Sequence, residues 1–372
     1  MQILMASTSY PADEQDWKGL FIRRLAEALA RRDDIELRLW APPGVLPANA
    51  VLDLTDIERR WLAQLMARGG IAHLMRSRSP AGMLAPLRLL NYLRKAFRRN
   101  AHVSLYHVNW LQNALVLPNP GRPALLTALG TDMQLLRLPG MKAMLRRKLS
   151  TRPAAICPNA DWMVQPLKKA FGDVAHVECV PFGIDPRWYQ LTRQWDGTRP
   201  TRWLVVSRLT AAKLGPLFEW CRPLFEAGNR ELHLFGPMQE TIEVPDWIHY
   251  HGSTTPDDLC RDWFPDACGL ITLSRHNEGR PQVMLEAMAS GLPIIASQLV
   301  AHRDLLHHGK TGWICDDQQA FAMAISALES QEMNASIGTA ARLWAAEHIG
   351  TWDDCAARYV ALYTRLLATR HA

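Results

Sequence analysis

Residues 277–297, NEGRPQVMLEAMASGLPIIAS, carry two carboxylates, Glu278 and Glu286, with seven residues between them. Gly279 and Pro281 mark a turn, residues 283–289 form helix readily, and Gly291 stops the run before the apolar residues 294–296. Glu278 is therefore expected on a loop and Glu286 about one turn into a helix. The helix start between them offers free backbone N–H groups and the positive end of a dipole, a suitable seat for a diphosphate. Each carboxylate would then face hydroxyls on one side of that seat. A solvated loop glutamate and a surface helix glutamate give the same spacing, so the pair alone leaves both readings open.

Two further stretches could serve the same chemistry. In WLVVSRLTAAKLG, residues 203–215, Arg208 and Lys213 stand at the mouth of a loop that follows an apolar strand-like run. Arginine holds a phosphate with a planar fork and lysine as a point charge. Together they could stabilise the charge that grows on a departing diphosphate. Ordinary solvated cations at a helix start are the competing reading. In HLFGPMQE, Gly236 ends another strand-like run and would permit close backbone approach to a ligand, or serve as a plain turn glycine.

These residues need a scaffold, and the pattern supplies one. Apolar strand-like runs at 3–6, 35–40, 103–108, 124–128 and 154–157 alternate with helical stretches such as 21–31 and 162–170. A second series has strands at 203–206, 232–235, 248–251, 270–273 and 294–296, with helices at 214–225, 284–289 and 320–329. Alternating β and α elements imply an α/β fold of parallel sheets covered on both faces, here two Rossmann-like, doubly wound domains. The expected division is 1–185 and 186–350, with residues 186–201 read as a polar linker. A last helix over 351–372 has an apolar stripe of Trp352, Tyr359, Leu362 and Leu366.

The chain has 372 residues, 48% hydrophobic and 21% charged, enough for two independently cored globular domains. Seven scattered cysteines without a C-x-x-C pair argue against a disulfide framework and a structural zinc site, and fit a reducing compartment. The N-terminus lacks the basic opening of a signal peptide, and no run reaches the length of a membrane span, so a cytoplasmic address is expected. Net charge is +6, and residues 59–160 hold seventeen Lys and Arg against one acidic residue, Asp132.

Arg208 with Lys213, then Gly236, then Glu278-x7-Glu286, in that order, resemble glycosyltransferase family 4, whose fold is GT-B. VPFGID at 180–185 resembles its exit from the first domain, and the Trp352 helix the segment that crosses back onto that domain. The resemblance spans nearly the whole chain and is stronger after Val180. It implies two Rossmann-like domains facing a central cleft and sugar transfer from a nucleotide sugar donor with retention of configuration. It implies no cofactor and no metal. Arg208 and Lys213 would hold the diphosphate, and Glu286 the ribose hydroxyls. Glu278 and the backbone around Gly279, Arg280, Gln282 and Val283 would grip the sugar, with Gly236 nearby; Pro281 has no N–H to give. The leaving phosphate would take the acceptor proton. On the acceptor side the resemblance points to Gly19, His107, Gly130 and Asp132, while Leu129 stands where the family has a histidine. A capping or core role competes for His107 and Asp132.

The acceptor implied is a glycan or a lipid-linked glycan, as in cell-surface polysaccharide or glycolipid synthesis. Rival readings are a donor-binding protein without transfer and a nucleotide-sugar epimerase of the same fold. Nucleic acid is not expected as a partner, because residues 59–160 lack regular aromatic interleaving and any recognised binding module. An anionic membrane surface is a candidate partner. In residues 86–99, helical spacing puts Leu90, Leu93 and Phe97 on one face and Arg88, Lys95 and Arg99 on the other, and Lys142, Arg146, Arg147 and Lys148 form a second basic cluster. The apolar face could equally pack on the sheet.

Overall fold

The computed structural model describes residues 1–13, 16, 18–71 and 80–369. The chain divides into two units, Met1–Phe182 with Trp352–Ala372, and Gly183–Thr351. The boundaries fall within three residues of the expected ones. Arg76 and Arg78 of the basic stretch, and the last three residues of the expected final helix, lie outside the described residues.

Among the described residues the first unit holds a seven-stranded parallel sheet in the order β3-β2-β1-β4-β5-β6-β7. The strands are β1 Gln2–Ala6, β2 Glu36–Trp40, β3 Ala50–Leu52, β4 Leu105–Asn109, β5 Ala124–Ala128, β6 Ala154–Pro158 and β7 His176–Val177. Successive side chains point to opposite faces. Leu4 and Ala6 accordingly join one apolar cluster, while Ile3 and Met5 join the other. Helices Leu20–Ala30 and Trp352–Ala368 cover the second face, the latter through Trp352, Tyr359, Leu362 and Leu366 as its spacing predicts.

Helix Pro80–Arg99 lies on the first face, with Leu93 and Phe97 in its core. The apolar stripe suggested as a membrane face is thus largely spent on the sheet. Of the opposite face, Arg99 is held by Asp53 and Glu58, at 3.1 Å each, and Arg88 stacks over Trp61 and Tyr92.

The second unit is a six-stranded parallel sheet in the order β10-β9-β8-β11-β12-β13. Here β8 is Thr201–Val206, β9 Arg230–Phe235, β10 Ile248–Gly252, β11 Gly269–Thr272, β12 Ile294–Ser297 and β13 Trp313–Cys315. Three strands escape the sequence pattern: β3, β7 and β13. Each has two or three residues and lies at a sheet edge, too short to show a period.

The segment expected as a linker is folded onto the second unit. Asp185 caps helix Pro186–Gln190, its carboxylate accepting from the Arg187 N–H at 3.1 Å. Trp188 is buried against Phe264, ring centroids 4.8 Å apart. Arg193 donates to the carbonyls of Gly291 at 2.9 Å and Ala267, and Arg342 donates to those of Leu191 at 3.2 Å and Tyr189. Side-chain anchors of this kind leave no periodic trace.

Candidate active site at the strand ends of the second unit

In an open parallel sheet, ligands bind outside the carboxyl ends of the strands. In the second unit three neighbouring strands, β8, β11 and β12, end on one side. After β8 comes the turn Ala211–Leu214, capped by Thr210, whose hydroxyl accepts from the Lys213 N–H at 3.2 Å. Gly215 follows at φ +57°, and a Cβ there would lie 2.1 Å from the Leu273 carbonyl. Only glycine lets the end of β11 come this close to the lysine turn. The Arg275 N–H donates to the Ala212 carbonyl at 2.8 Å and ties the two loops together.

The result is an ion pair. Lys213 Nζ lies 2.6 Å from Glu278 Oε1, with both side chains only 13–14% exposed. Burial pulls the Lys213 pKa below the usual lysine range, and Arg208 adds to that, while Glu278 pulls the other way. The Ser274 hydroxyl also donates to Glu278, at 3.2 Å. Arg208 is close enough to influence Lys213 and donates to Gln239 at 3.4 Å. Two cations and one carboxylate from the sequence motifs are thereby gathered at one place.

Helix Gln282–Ser290 begins beside them, Pro281 at its N-cap, and Glu286 is half-buried one turn in. Its first N–H groups precede the intrahelical ladder. The Gln282 side chain donates to the Gly183 carbonyl at 2.9 Å, and Val283 packs on the core, so these two would offer backbone rather than side chain. Arg280 is likewise committed: it pairs with Asp304 at 2.7 Å, both nearly buried, and pins the Gly279 loop to the segment after β12. Nothing in the spacing of Arg280 and Asp304 announced that pair.

Gly236 has a more local reason than ligand approach. At φ +136° a Cβ would sit 1.8 Å from the Ser207 carbonyl, so its bareness serves the close approach of the two chain segments that leave β8 and β9.

In the first unit, Gly130 and Asp132 follow the end of β5, His107 is the middle residue of β4, and Gly19 lies in the connection from β1 to the first helix. Gly19 precedes helix Leu20–Ala30 and Gly130 is buried in the turn before Asp132. His107 is fully buried; its Nδ1 meets the Tyr363 hydroxyl at 2.6 Å and its Nε2 the Thr127 hydroxyl at 2.8 Å. Thr127 in turn meets Tyr359 at 3.0 Å. This imidazole fastens the returning C-terminal helix to the sheet, so the core reading of His107 replaces the acceptor-side one. Asp132 is buried too, accepting from the N–H groups of Leu111 at 2.9 Å and Leu129 at 2.7 Å. Burial lifts its pKa to about 7 against the pull of those bonds. It braces the turn that bears Leu129.

Burial lowers the His107 pKa from 6.5 to about 3. The folded state therefore refuses a proton that the unfolded chain takes up. The stability this contributes is complete above pH 6.5 and is lost as pH falls toward 3. His107→Gln is expected to lower the melting temperature at pH 7 yet flatten its fall between pH 6.5 and 4. Equal slopes for the two proteins would remove His107 as the cause.

Two Rossmann-like units, each a parallel sheet covered by helices, are the architecture of the GT-B fold. The chain matches, over residues 202–331, the family described as glycosyl transferases group 1. It is 26% identical over 172 residues to the amylovoran biosynthesis glycosyltransferase AmsK of Erwinia amylovora, covering 42% of each chain. Identity is also 26% over 217 residues with the GDP-mannose-dependent alpha-(1-6)-phosphatidylinositol monomannoside mannosyltransferase of Mycobacterium tuberculosis, 51% of this chain and 56% of that one. The matches thus span about half the length of these relatives. Among solved structures, sucrose-phosphate synthase of Thermosynechococcus elongatus aligns with TM-score 0.72 at 17% identity over 99% of this chain and 100% of that one. HepE of Anabaena, in complex with UDP and glucose, aligns with TM-score 0.65 at 14% identity over 98% and 99%. Likeness at that identity speaks for the fold.

Proposed function

We propose that this chain is a retaining, metal-independent member of glycosyltransferase family 4. It would move a sugar from a UDP-, GDP- or ADP-sugar to a hydroxyl of a glycan or lipid-linked acceptor, in cell-surface polysaccharide or glycolipid synthesis. The observation that carries the reading is the meeting of Arg208, Lys213 and Glu278 at the ends of β8 and β11. Arg208 and Lys213 receive the diphosphate and neutralise the charge that grows on it as the glycosidic bond breaks. Glu286 takes the ribose hydroxyls and Glu278 those of the sugar. The leaving phosphate, on the same face as the attack, accepts the acceptor proton. The mannosyltransferase and HepE named above are described with GDP-mannose and UDP, which supports a nucleotide donor without choosing its base.

A panel of nucleotide sugars scored by melting temperature tests this. A ligand at about 100 times its Kd adds about 2.7 kcal/mol to the state that binds it, a shift of a few degrees. A flat response across the panel would refute the donor reading. Binding with sugar transfer to no acceptor would favour a donor-binding protein, and release of the free nucleotide without acceptor a hydrolysing epimerase.

We also propose a cytoplasmic address with peripheral binding to an anionic membrane surface. Among the described residues no helix is long and apolar enough to cross a membrane. With Leu93 and Phe97 buried, the ground for docking changes. Leu84 and Leu87 are 63% and 65% exposed on helix Pro80–Arg99, and Arg94, Lys95 and Arg98 are exposed further along it. Burial lowers the Lys148 pKa, and the nearby charges of Arg152, Arg94 and Arg147 add to it, which joins the two basic clusters. Each such cation adds about 1 kcal/mol near an anionic bilayer. Co-sedimentation with anionic vesicles at low salt is expected, weakened by salt and by joint replacement of Arg94, Lys95 and Arg98 with Gln. Equal failure with anionic and neutral vesicles would end the proposal.

A further inference from the structure

The loop after β12 contributes a residue that none of the sequence motifs contains. His302 sits on the short helical turn Val300–Arg303 and is fully buried. Its Nδ1 lies 3.0 Å from the Ser297 carbonyl, an acceptor only, so Nδ1 carries the proton and Nε2 is left with a bare lone pair. That Nε2 is shielded from solvent and has no hydrogen-bond partner among the described residues. An orphaned buried acceptor costs on the order of 1–3 kcal/mol and asks for an explanation.

The sheet order supplies the context. Lys213 follows β8, Glu278 follows β11 and His302 follows β12, three strands adjacent in the order β8-β11-β12. The loops are stitched together: the Ser297 hydroxyl donates to the Ser274 carbonyl at 2.6 Å, and the Ser274 hydroxyl donates to Glu278. The charges of Glu278 and Lys213 both reach the imidazole. A neutral acceptor beside the ion pair complements it. Lys213 suits a phosphate, Glu278 and a neutral imidazole suit hydroxyls, and a bare lone pair repels a phosphate oxygen.

We propose that His302 is a specificity-determining residue of the donor site, its Nε2 accepting a hydrogen bond from a hydroxyl of the transferred sugar. This rests on the nucleotide-sugar reading above. It predicts that His302 contributes to the affinity of the intact donor and nothing to that of the free nucleotide diphosphate.

Two amide variants separate the nitrogens. His302→Asn can keep the bond to the Ser297 carbonyl and lacks an acceptor at the Nε2 position; His302→Gln places an amide oxygen near it. The probes are UDP with UDP-glucose, and GDP with GDP-mannose, titrated calorimetrically into the full chain. For the pair that the wild type discriminates, His302→Asn is expected to reduce the preference for the sugar nucleotide about tenfold, with nucleotide diphosphate affinity held within twofold. His302→Gln is expected to restore at least part of that preference. An undiminished preference in a folded His302→Asn protein overturns the assignment and makes the imidazole a core group. If His302→Asn does not fold, unchanged preference in His302→Phe does the same. A wild type that binds none of the four probes, nor ADP or ADP-glucose, overturns the donor reading itself, and His302 falls with it.

Discussion

Arg208→Ala is expected to lower transfer by about 100- to 1000-fold, the usual cost of removing one group that meets charge developing in the transition state. The rate constant should fall along with affinity, because the contact strengthens as the diphosphate departs. Lys213→Ala should cost at least as much activity, and the structure adds a second consequence. Its ammonium is the counter-ion of a carboxylate that is 14% exposed. Removing it leaves Glu278 with the Ser274 hydroxyl but without its paired cation, and breaking such a pair costs about 3 kcal/mol or more when fully buried. Lys213→Ala should therefore melt lower than Arg208→Ala, and adding Glu278→Gln should recover part of the loss while activity stays absent. Near-normal turnover in both single variants would sink the clamp. Equal melting temperatures for Lys213→Ala and Lys213→Ala/Glu278→Gln would mean the ion pair carries no stability.

Glu278→Ala should abolish most transfer while tightening the free nucleotide diphosphate about tenfold, or about 1.4 kcal/mol. On sequence grounds alone that affinity would stay nearly the same. The 2.6 Å pair changes the expectation. A diphosphate must draw Lys213 away from Glu278, and without a sugar nothing replaces the lost counter-ion of a largely buried carboxylate. The intact donor brings hydroxyls that do replace it, so the wild type favours donor over spent nucleotide, which assists product release. Deleting the carboxylate removes that penalty. Glu286→Ala behaves oppositely, weakening free nucleotide about tenfold through the lost ribose contact. Calorimetric titration of UDP and GDP into the three proteins decides it; weaker nucleotide binding in Glu278→Ala would show the two glutamates in exchanged roles. Chelation with EDTA should alter neither wild-type turnover nor these affinities.

The sequence reached the architecture because a doubly wound sheet writes itself locally. Runs such as 124–128 and 294–296 are buried on both faces and read as unbroken apolar segments. The glycine that ends helix Gln282–Ser290, at φ +70°, is legible for the same reason: helix, stop and strand are neighbours in the chain. The segment between the units is ordered where its composition predicts a linker, because Trp188, Arg193 and Arg342 fix it through contacts with distant carbonyls and rings, which no window of sequence contains.

What the sequence determined by itself is therefore the alternation of elements, the position of each charged residue relative to its own strand end, and the order of the motifs. The tertiary structure decided how those residues are used. Sheet order placed β8 beside β11 and β11 beside β12, and so brought Lys213 to Glu278 and both into electrostatic reach of His302. It also buried His107 under Tyr359 and Tyr363, turning a residue that looked available at a strand end into an anchor for the C-terminal helix. The physical reason is one of range. Period, turn chemistry and helix stops act over a few residues. Ion pairing, burial and the satisfaction of a lone pair depend on which chain segments the closed sheet sets side by side.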